Sequence, residues 1–275
     1  MSSPATTDAV AVRLLLARLE RQIRRGLARG SEVREVGPFR LYLWPRPEPF
    51  YRNRALPAST APGGDWRPAV AAMLAAFAAA GREPRLEFFA ERWPGLPAAL
   101  ETAGLRQELD APVLAATAPP SSVDPARGTA GGVRLLGPGV SRGTRQAFLA
   151  GAQAAFGHAT TGQPDPGEVE QFGRDLDEGA TLAAVRFDGD EPLAGASLIG
   201  IGAEAELAGV WTAPGHRRRG HAAAVCAALM RRFFAAGGEV VWLAAGGEGS
   251  ERLYRGLGFE RVGTQLDYGP PAREG

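Results

Sequence analysis

The chain contains 275 residues, the length of two average domains of roughly 150 residues each or of one large domain. Apolar residues make up 45% of the sequence and charged residues 22%, a globular composition that excludes wholesale disorder. With 31 basic and 30 acidic residues the net charge is +1, which argues against a broad basic surface for nucleic acid.

Residues that the sequence lacks exclude several kinds of chemistry. All 31 bases are arginine, so no lysine is present to form a Schiff base, to complete a GxxxxGK[ST] phosphate loop or to act as a kinase strand lysine. One cysteine and three histidines do not suffice for a Cys/His zinc site, HExxH is absent, and we expect no metal. A single cysteine forms no intrachain disulfide, which indicates a reducing compartment.

The first residues have the pattern of an amphipathic helix. Apolar residues recur every three to four positions between Thr7 and Ala28, with arginines between them. The sequence has no apolar stretch of the kind found in signal peptides or membrane spans, so we expect a cytoplasmic protein without membrane association. We interpret the basic face of this helix as solvated; binding to an acidic membrane is the alternative.

The rest of the first half is predicted to form short strands and helices. A helix is predicted over Asp65–Ala80, with Asp65 as the N-cap and Gly81 as the stop. Strands are predicted at 39–44, 85–90 and 111–117, with a short helix at 97–103 that ends at Gly104. Residues 118–131 are rich in Pro, Gly and Ser without periodicity, which predicts a linker between domains at 1–117 and 132–275.

The second half alternates strands with helices, which predicts an α/β fold with a mixed sheet. The strands are predicted at 133–136, 182–187, 193–201, 206–212, 240–244 and 259–262, and the helices at 144–156, 168–177, 221–236 and 248–257. In each half a helix that ends at a glycine (Gly81 or Gly237) is followed by a strand, a helix and an AGL or LGF tripeptide. We interpret this echo as one fold used twice; chance similarity of alanine-rich helices is the alternative.

The strongest chemical signal lies in the segment Glu206–Met230. A predicted strand ends at Thr212, and the three arginines at 217–219 precede the next predicted helix. The first turn of a helix presents unpaired N–H groups and the positive end of the helix dipole, so arginines there are unfavourable unless a polyanion binds. Gly220 and Ala222 lack bulk and let the backbone approach a phosphate; a solvated basic turn is the alternative.

Two motifs resemble those of the GNAT superfamily of N-acetyltransferases. Arg217-x-x-Gly220-x-Ala222 matches the (Q/R)xxGx(G/A) loop that holds the pyrophosphate of acetyl-CoA in that superfamily. The segment ERLYRGLGF at Glu251–Phe259 is similar to the LYxxxGF signature. The resemblance covers roughly 132–268 and implies a GNAT fold, a mixed central sheet flanked by helices, with the first half as a smaller, degenerate GNAT-like domain.

The resemblance also implies roles for single residues, with acetyl-CoA as cosubstrate. Tyr254 would be the general acid that protonates the leaving thiolate, and Glu206 lies eleven residues before Arg217, where some members carry a carboxylate base. The implied cosubstrate contacts are the backbone of Val210, Trp211 and Thr212 for the pantetheine arm, and Arg217, Arg218, Arg219, Gly220, His221 and Ala222 for the pyrophosphate.

Structural alternatives exist for both proposed catalytic residues. Tyr254 also suits a packed aromatic near the end of its helix, and Glu206 also suits a solvent-facing strand residue. Glu204 and an ordered water are rival bases. A base is chemically sensible, because an amine of pKa near 10 is mostly protonated at neutral pH.

Other residues near these motifs are predicted to have no catalytic role. Cys226 is expected in the core, and His216 and His221 are expected to be loop and cap residues. Gly247 stands where many relatives carry Asn, so a contact made by that side chain would be missing here. The first half has no arginine loop and carries Leu100 where the tyrosine would fall, so we expect it to bind no CoA and to shape the acceptor cleft.

Two further motifs are set aside. GxGxxA at 200–205 matches a dinucleotide fingerprint, but a strand follows where a helix is needed. GxSxG at 139–143 matches a nucleophile elbow, but Ser141 suits a helix N-cap better.

The predicted function is acetyl-CoA-dependent N-acetyltransfer to a primary amine, on a small molecule or a peptide, by direct attack in a ternary complex. A non-catalytic acyl-CoA-binding sensor or partner module is the alternative. No nucleic acid or membrane partner is expected, and a homodimer is left open by the sequence.

Overall fold

The computed structural model describes residues 4–45, 53–121, 132–156, 163–246 and 248–271. The chain divides into two units that are not continuous in sequence. Unit 1 comprises Met1–Val113, Ala244–Gly246 and Arg261–Gly275, and unit 2 comprises Leu114–Leu243 and Gly247–Glu260. The last strand of the chain belongs to unit 1, and most of the predicted linker at 118–131 lies outside the described residues.

Unit 1 is built from three helices and a mixed sheet. Its helices are α1 (Pro4–Ala28), α2 (Arg67–Ala79) and α3 (Leu96–Thr102). Its strands are β1 (Glu32–Val36), β2 (Phe39–Leu43), β3 (Arg54–Pro57), β4 (Leu86–Phe89), the first part of β5 (Arg106–Ala116) and, from the end of the chain, β11 (Glu260–Gly269). The strand order is β1-β2-β3-β4-β11-β5, with β3 and β4 parallel and β11 antiparallel to β4.

The core of unit 1 forms where α2 and α3 cover the sheet. Val70, Met73 and Phe77 recur every three to four residues along α2 and are buried, as an amphipathic helix requires. The long helix α1 also packs by one face, and its buried Glu20 accepts a hydrogen bond from the indole of Trp93 at 2.6 Å. None of the described helices is long and apolar enough to cross a membrane.

Unit 2 contains four helices and a set of mixed strands. Its helices are α4 (Arg142–Phe156), α5 (Pro166–Asp177), α6 (His221–Ala235) and α7 (Glu248–Gly256). Besides the last residues of β5, its strands are β6 (Val133–Leu136), β7 (Thr181–Asp188), β8 (Glu191–Ile199), β9 (Glu204–Thr212) and β10 (Val240–Ala244). They run in the order β10-β9-β8-β7-β6, antiparallel except for the parallel pair β10 and β9.

Helices cover both faces of the unit 2 sheet. Ala183 and Val185 of β7 share a core with residues of α4 and α5, whereas Arg186 interacts with His221 of α6. Because successive strand residues point to opposite faces, α4 and α5 lie on one face and α6 on the other. The mixed α/β architecture predicted from the sequence is confirmed.

The two halves of the chain repeat one order of elements. In unit 1, β3 leads through a 3-10 turn at Pro62–Gly64 into α2 and the parallel strand β4. In unit 2, β9 leads through a 3-10 turn at Pro214–His216 into α6 and the parallel strand β10. Each series then continues with a helix and a strand, which supports the interpretation of one fold used twice.

Two local predictions need correction. Asp65 is not the N-cap of α2: Trp66 holds that position without a side-chain hydrogen bond, and Asp65 accepts from the N–H of Arg67 at 3.0 Å. The strand predicted at 259–262 extends to Gly269, because β4 gives its second part a partner. The stops at Gly81 and Gly104 are confirmed, since both glycines have positive φ.

Several carboxylates lie close together where β11 pairs with β4. Asp267 of β11 lies directly opposite Glu87 of β4. Both line a cavity of about 80 Å³, whose other charged walls are Arg54, Arg85 and Glu108. Burial, and then the charge of Glu87, raises the pKa of Asp267 to about 7, although the hydrogen bond from Gln265 and the charge of Arg54 act in the opposite direction.

We expect Asp267→Asn to stabilise the protein at alkaline pH and not at acid pH. Between the unfolded pKa near 4 and about pH 7, the folded state holds a proton at Asp267 that the unfolded state has lost, so stability falls as pH rises. The variant should therefore melt about 2–6 °C above the wild type at pH 8 and together with it at pH 4.

The matched control for this measurement is Asp190→Asn, which removes an exposed carboxylate in the β7–β8 turn and should leave both melting temperatures unchanged. An Asp267→Asn variant that gains nothing at pH 8 would contradict the role of the buried charge.

Candidate active site

A bulge in β9 redirects the backbone at the centre of unit 2. Trp211 pairs with Gly195 of β8, and Ala208 pairs with Ser197, so β9 advances three residues while β8 advances two. Gly209 supplies the left-handed conformation, with φ of 58°. The extra residue breaks the regular ladder beside the predicted pantetheine contacts. A glycine inside a predicted strand is the usual sequence signal of such a bulge, and it was missed here.

The parallel ladder between β9 and β10 ends early. Only Glu204–Glu206 pair with β10, at Val240, Val241 and Trp242. Beyond Glu206 the strand β9 continues to Thr212, and β10 continues to Ala244. The edge of β9 therefore opens after Glu206, and an extended ligand can take the place of the missing strand. Val210, Trp211 and Thr212, the predicted pantetheine contacts, all lie along this opening.

The opening leads into a strained loop. After Thr212 the chain makes the 3-10 turn, and Arg218 then adopts a positive φ of 61°, the only such value among the described residues other than glycine. This conformation costs about 1–3 kcal/mol for a residue with a side chain. Gly220 follows with φ of 80°, and a Cβ there would meet no atom within 4 Å, so the glycine is required by conformation and not by space.

The start of α6 is left uncapped by this loop. Gly220 occupies the N-cap position and has no side chain to accept from the first N–H groups of the helix. Consecutive N–H groups around residues of positive φ form a concave anion site, and a 15-residue helix adds the positive end of its dipole. The backbone of Arg218, Gly220, His221 and Ala222 thus has the geometry expected for holding phosphate.

The three loop arginines are exposed and differ in their contacts. Arg217 donates to the carbonyl of Ala155 at 3.3 Å and to that of Thr212 at 3.5 Å, which ties the loop to the end of α4. Arg218 and Arg219 form no hydrogen bond or ion pair with the described part of the chain. Two exposed guanidinium groups beside the positive end of α6 favour an anionic ligand.

His221 differs from the arginines, since its side chain points inward. Only 4% of it is exposed, and its Nδ1 has no hydrogen-bond partner among the described residues. Burial lowers its pKa, and so do Arg186, His216 and Arg219, which holds the imidazole neutral at pH 7. A cosubstrate contact at this residue would therefore come from the backbone.

Tyr254 lies on α7, buried beside α6. Its ring meets that of Phe259 edge to face, with centroids 5.8 Å apart. Burial, followed by the neighbouring Cys226, raises the pKa of the phenol above its usual value near 10, so the hydroxyl stays protonated in the neutral range. Tyr254 is thus a packed aromatic that also retains a transferable proton. Cys226 is fully buried and its pKa is raised to about 12, which confirms it as a core residue.

The two candidate bases share one face of β9, because they are two residues apart. Glu204 is 6% exposed, whereas Glu206 is only half-buried and stands where the ladder with β10 ends. An acceptor can reach Glu206 more easily. Gly247, noted above as a departure from the pattern of the resembled family, lies outside the described residues.

Comparison with known proteins identifies this arrangement. Residues 152–259 match the profile described as Acetyltransferase (GNAT) family. They form a GNAT acetyltransferase domain. A solved GCN5-related N-acetyltransferase from Kribbella flavida is 26% identical, with a TM-score of 0.72 over 94% of this chain and 96% of that one. No match was found among curated proteins.

Two further solved structures share the fold over both halves. One is a GCN5-related N-acetyltransferase from Sphaerobacter thermophilus, 18% identical, with a TM-score of 0.62 over 97% of this chain and 93% of that one. The other is a tandem GNAT protein from the clavulanic acid biosynthesis pathway, 15% identical, with a TM-score of 0.53 over 84% of this chain and 77% of that one. The chain therefore has the fold of a tandem GNAT protein.

The GNAT-like first half lacks the features of the second-half site. Its helix α2 begins directly after Trp66 in the sequence. The buried indole of Trp66 donates to the carbonyl of Pro94 at 3.2 Å. The turn before α2 takes its positive φ values at Gly63 and Gly64, which carry no side chain, and the guanidinium of Arg67 at the start of α2 pairs with Asp65. Leu100 is fully buried.

Neither of the two set-aside motifs has the structure that its chemistry needs. Ser141 caps α4, because its Oγ accepts from the N–H of Thr144 at 3.2 Å. The GxGxxA segment leads into β9, a strand.

The side chain of Trp211 anchors the bulged part of β9 by packing toward α4. Its buried indole packs against Phe148 and fills the space above two glycines. A Cβ at Gly151 of α4 would lie 2.4 Å from the ring, and one at Gly195 of β8 would lie 2.6 Å from it. Trp211 can therefore contact a cosubstrate only through its backbone.

We expect Gly151→Ala to destabilise unit 2 by about 1–3 kcal/mol, because the new methyl group would overlap the Trp211 ring. Gly143→Ala in the same helix is the matched control: a Cβ there meets nothing within 4 Å, and alanine favours a helix by up to about 1 kcal/mol over glycine. Urea denaturation measures both variants. Equal stability of the two would contradict the packing role of Gly151.

Proposed function

We propose that this protein is an acetyl-CoA-dependent N-acetyltransferase that acetylates a primary amine by direct attack in a ternary complex. The observation that carries the proposal is the open edge of β9 beyond Glu206, which runs into the uncapped start of α6. A ligand with an extended arm and a diphosphate at one end fits this path. The arm can pair with the edge of β9 like a strand, and the diphosphate can accept from the N–H groups at the start of α6. The acyltransferase family of residues 152–259 supports the same chemistry.

In this proposal the diphosphate lies on the N–H groups of Arg218–Ala222, with the exposed guanidinium groups of Arg218 and Arg219 beside it. The strain at Arg218 supports this placement, because it turns backbone donors outward at a cost that a bound anion offsets. The pantetheine arm extends along Val210–Thr212 as an added strand. Acetyl-CoA supplies an acetyl thioester that is already activated, so no enzyme nucleophile is needed.

Glu206 is the proposed base, and Glu204 or an ordered water is the rival. An acceptor that arrives as an ammonium ion gives one proton to Glu206. Its nitrogen then bonds to the carbonyl carbon while the C–S bond breaks, and Tyr254 gives its proton to the leaving sulfur. The second proton lost by the nitrogen restores Tyr254 through solvent. The products are an amide, a thiol and one released proton.

Calorimetry with acetyl-CoA, followed by a thiol-release assay over a panel of primary amines, tests this function. We expect acetyl-CoA to bind and at least one class of amine to release free CoA above the rate of hydrolysis. Binding without release by any amine would favour the acyl-CoA sensor, the alternative that shares this binding site. Absence of binding would overturn both functions.

We expect Tyr254→Phe to lower turnover by roughly 10²–10⁴, because phenylalanine keeps the ring packed on Phe259 and removes only the acid proton. Steady-state kinetics with the best amine measures the effect. Tyr42→Phe, at a buried tyrosine of β2, is the control and should keep full turnover. A loss below threefold at Tyr254, with chemistry rate-limiting, would remove this residue from the mechanism.

A further inference from the structure

An exposed aromatic side chain lies at the end of α4. Phe156 is the last residue of the helix and is 52% exposed. The other exposed large apolar residues in the described ranges are aliphatic: Val10, Leu14, Val33 and Leu135. Phe148, two turns earlier in α4, is buried in the core, so Phe156 is not part of that packing. When a ligand covers a half-exposed phenyl group, the burial of its apolar surface contributes about 1–3 kcal/mol to the binding free energy.

One guanidinium group links the residue before Phe156 to the end of β9. Arg217 donates to the carbonyl of Ala155, the residue before Phe156, and also to the carbonyl of Thr212. This side chain therefore connects the last turn of α4 with the end of β9 and with the loop that precedes α6. Phe156 therefore lies beside the junction at which an arm along β9 would meet a diphosphate on the loop.

The chemistry of coenzyme A supplies a partner for a phenyl ring at that junction. Between its diphosphate and the first amide of its arm lies the pantoyl unit, whose quaternary carbon carries two methyl groups. This is the apolar part of the molecule nearest to the phosphates. We propose that Phe156 packs against the two pantoyl methyl groups and so acts as a binding residue for coenzyme A; the inference rests on the proposed function.

Binding measurements with coenzyme A test the contact. We expect Phe156→Ala to weaken binding about tenfold and Phe156→Leu less than threefold, since leucine keeps most of the apolar surface. Leu135→Ala, which truncates a side chain that is 41% exposed on β6, is the matched control and should bind as the wild type does. Equal melting temperatures of the three variants would show that folding is intact.

A spectroscopic readout separates direct contact from an effect on the loop. In the complex with the wild-type protein, the pantoyl methyl protons should give intermolecular NOEs to aromatic protons, and these NOEs should disappear in Phe156→Leu. NOEs that persist in that variant, or coenzyme A binding that Phe156→Ala leaves unchanged, would overturn this inference alone. A wild-type protein that does not bind coenzyme A would overturn the proposed function as well.

Discussion

The N-terminal N–H groups of α6 have no side-chain cap, and the chain leaves them open through two left-handed positions, Arg218 and Gly220, on either side of Arg219. The first of these is an arginine, Arg218, which adopts this conformation against its steric preference. The edge of β9 is open for a similar reason, because β10 stops pairing with it after Trp242. Among the described residues, both parts of the site consist of backbone groups that no neighbouring strand and no side-chain cap pairs; the Thr212 carbonyl, at the end of β9, accepts from Arg217. Side chains add charge at the loop, and Tyr254 is the proposed proton donor.

Small residues and carbonyl contacts hold this open backbone in place. Trp211 can pack against the bulged strand only because α4 and β8 each present a glycine to its ring. Arg217 bonds two main-chain carbonyls, and its charge has no acidic partner among the described residues. The end of α4, the end of β9 and the loop are thus linked through one side chain, which keeps positive charge at the mouth of the site.

The turn before α6 was predictable from the sequence, because its signal is local. Arg217, Gly220 and Ala222 mark a strand-to-helix turn, and the periodicity of the flanking segments gives the elements around it. The strands β1 and β3 were missed because one is a short, charged, exposed edge and the other is four residues long and ends at Pro57. Asp65 has the residue type of an N-cap but pairs with Arg67 instead. The opening between β9 and β10 depends on pairing between distant segments, which no local pattern contains.

The placement of β11 also lies beyond local sequence patterns, and it affects how the chain is made. This strand fills the gap between β4 and β5 in unit 1, although it is encoded at the end of the chain. During translation, residues 1–113 are therefore synthesised well before β11, and the facing edges of β4 and β5 stay unpaired until β11 is made. A copy truncated before Glu260 would keep those edges exposed, so synthesis of β11 is itself a condition for closing the sheet of unit 1.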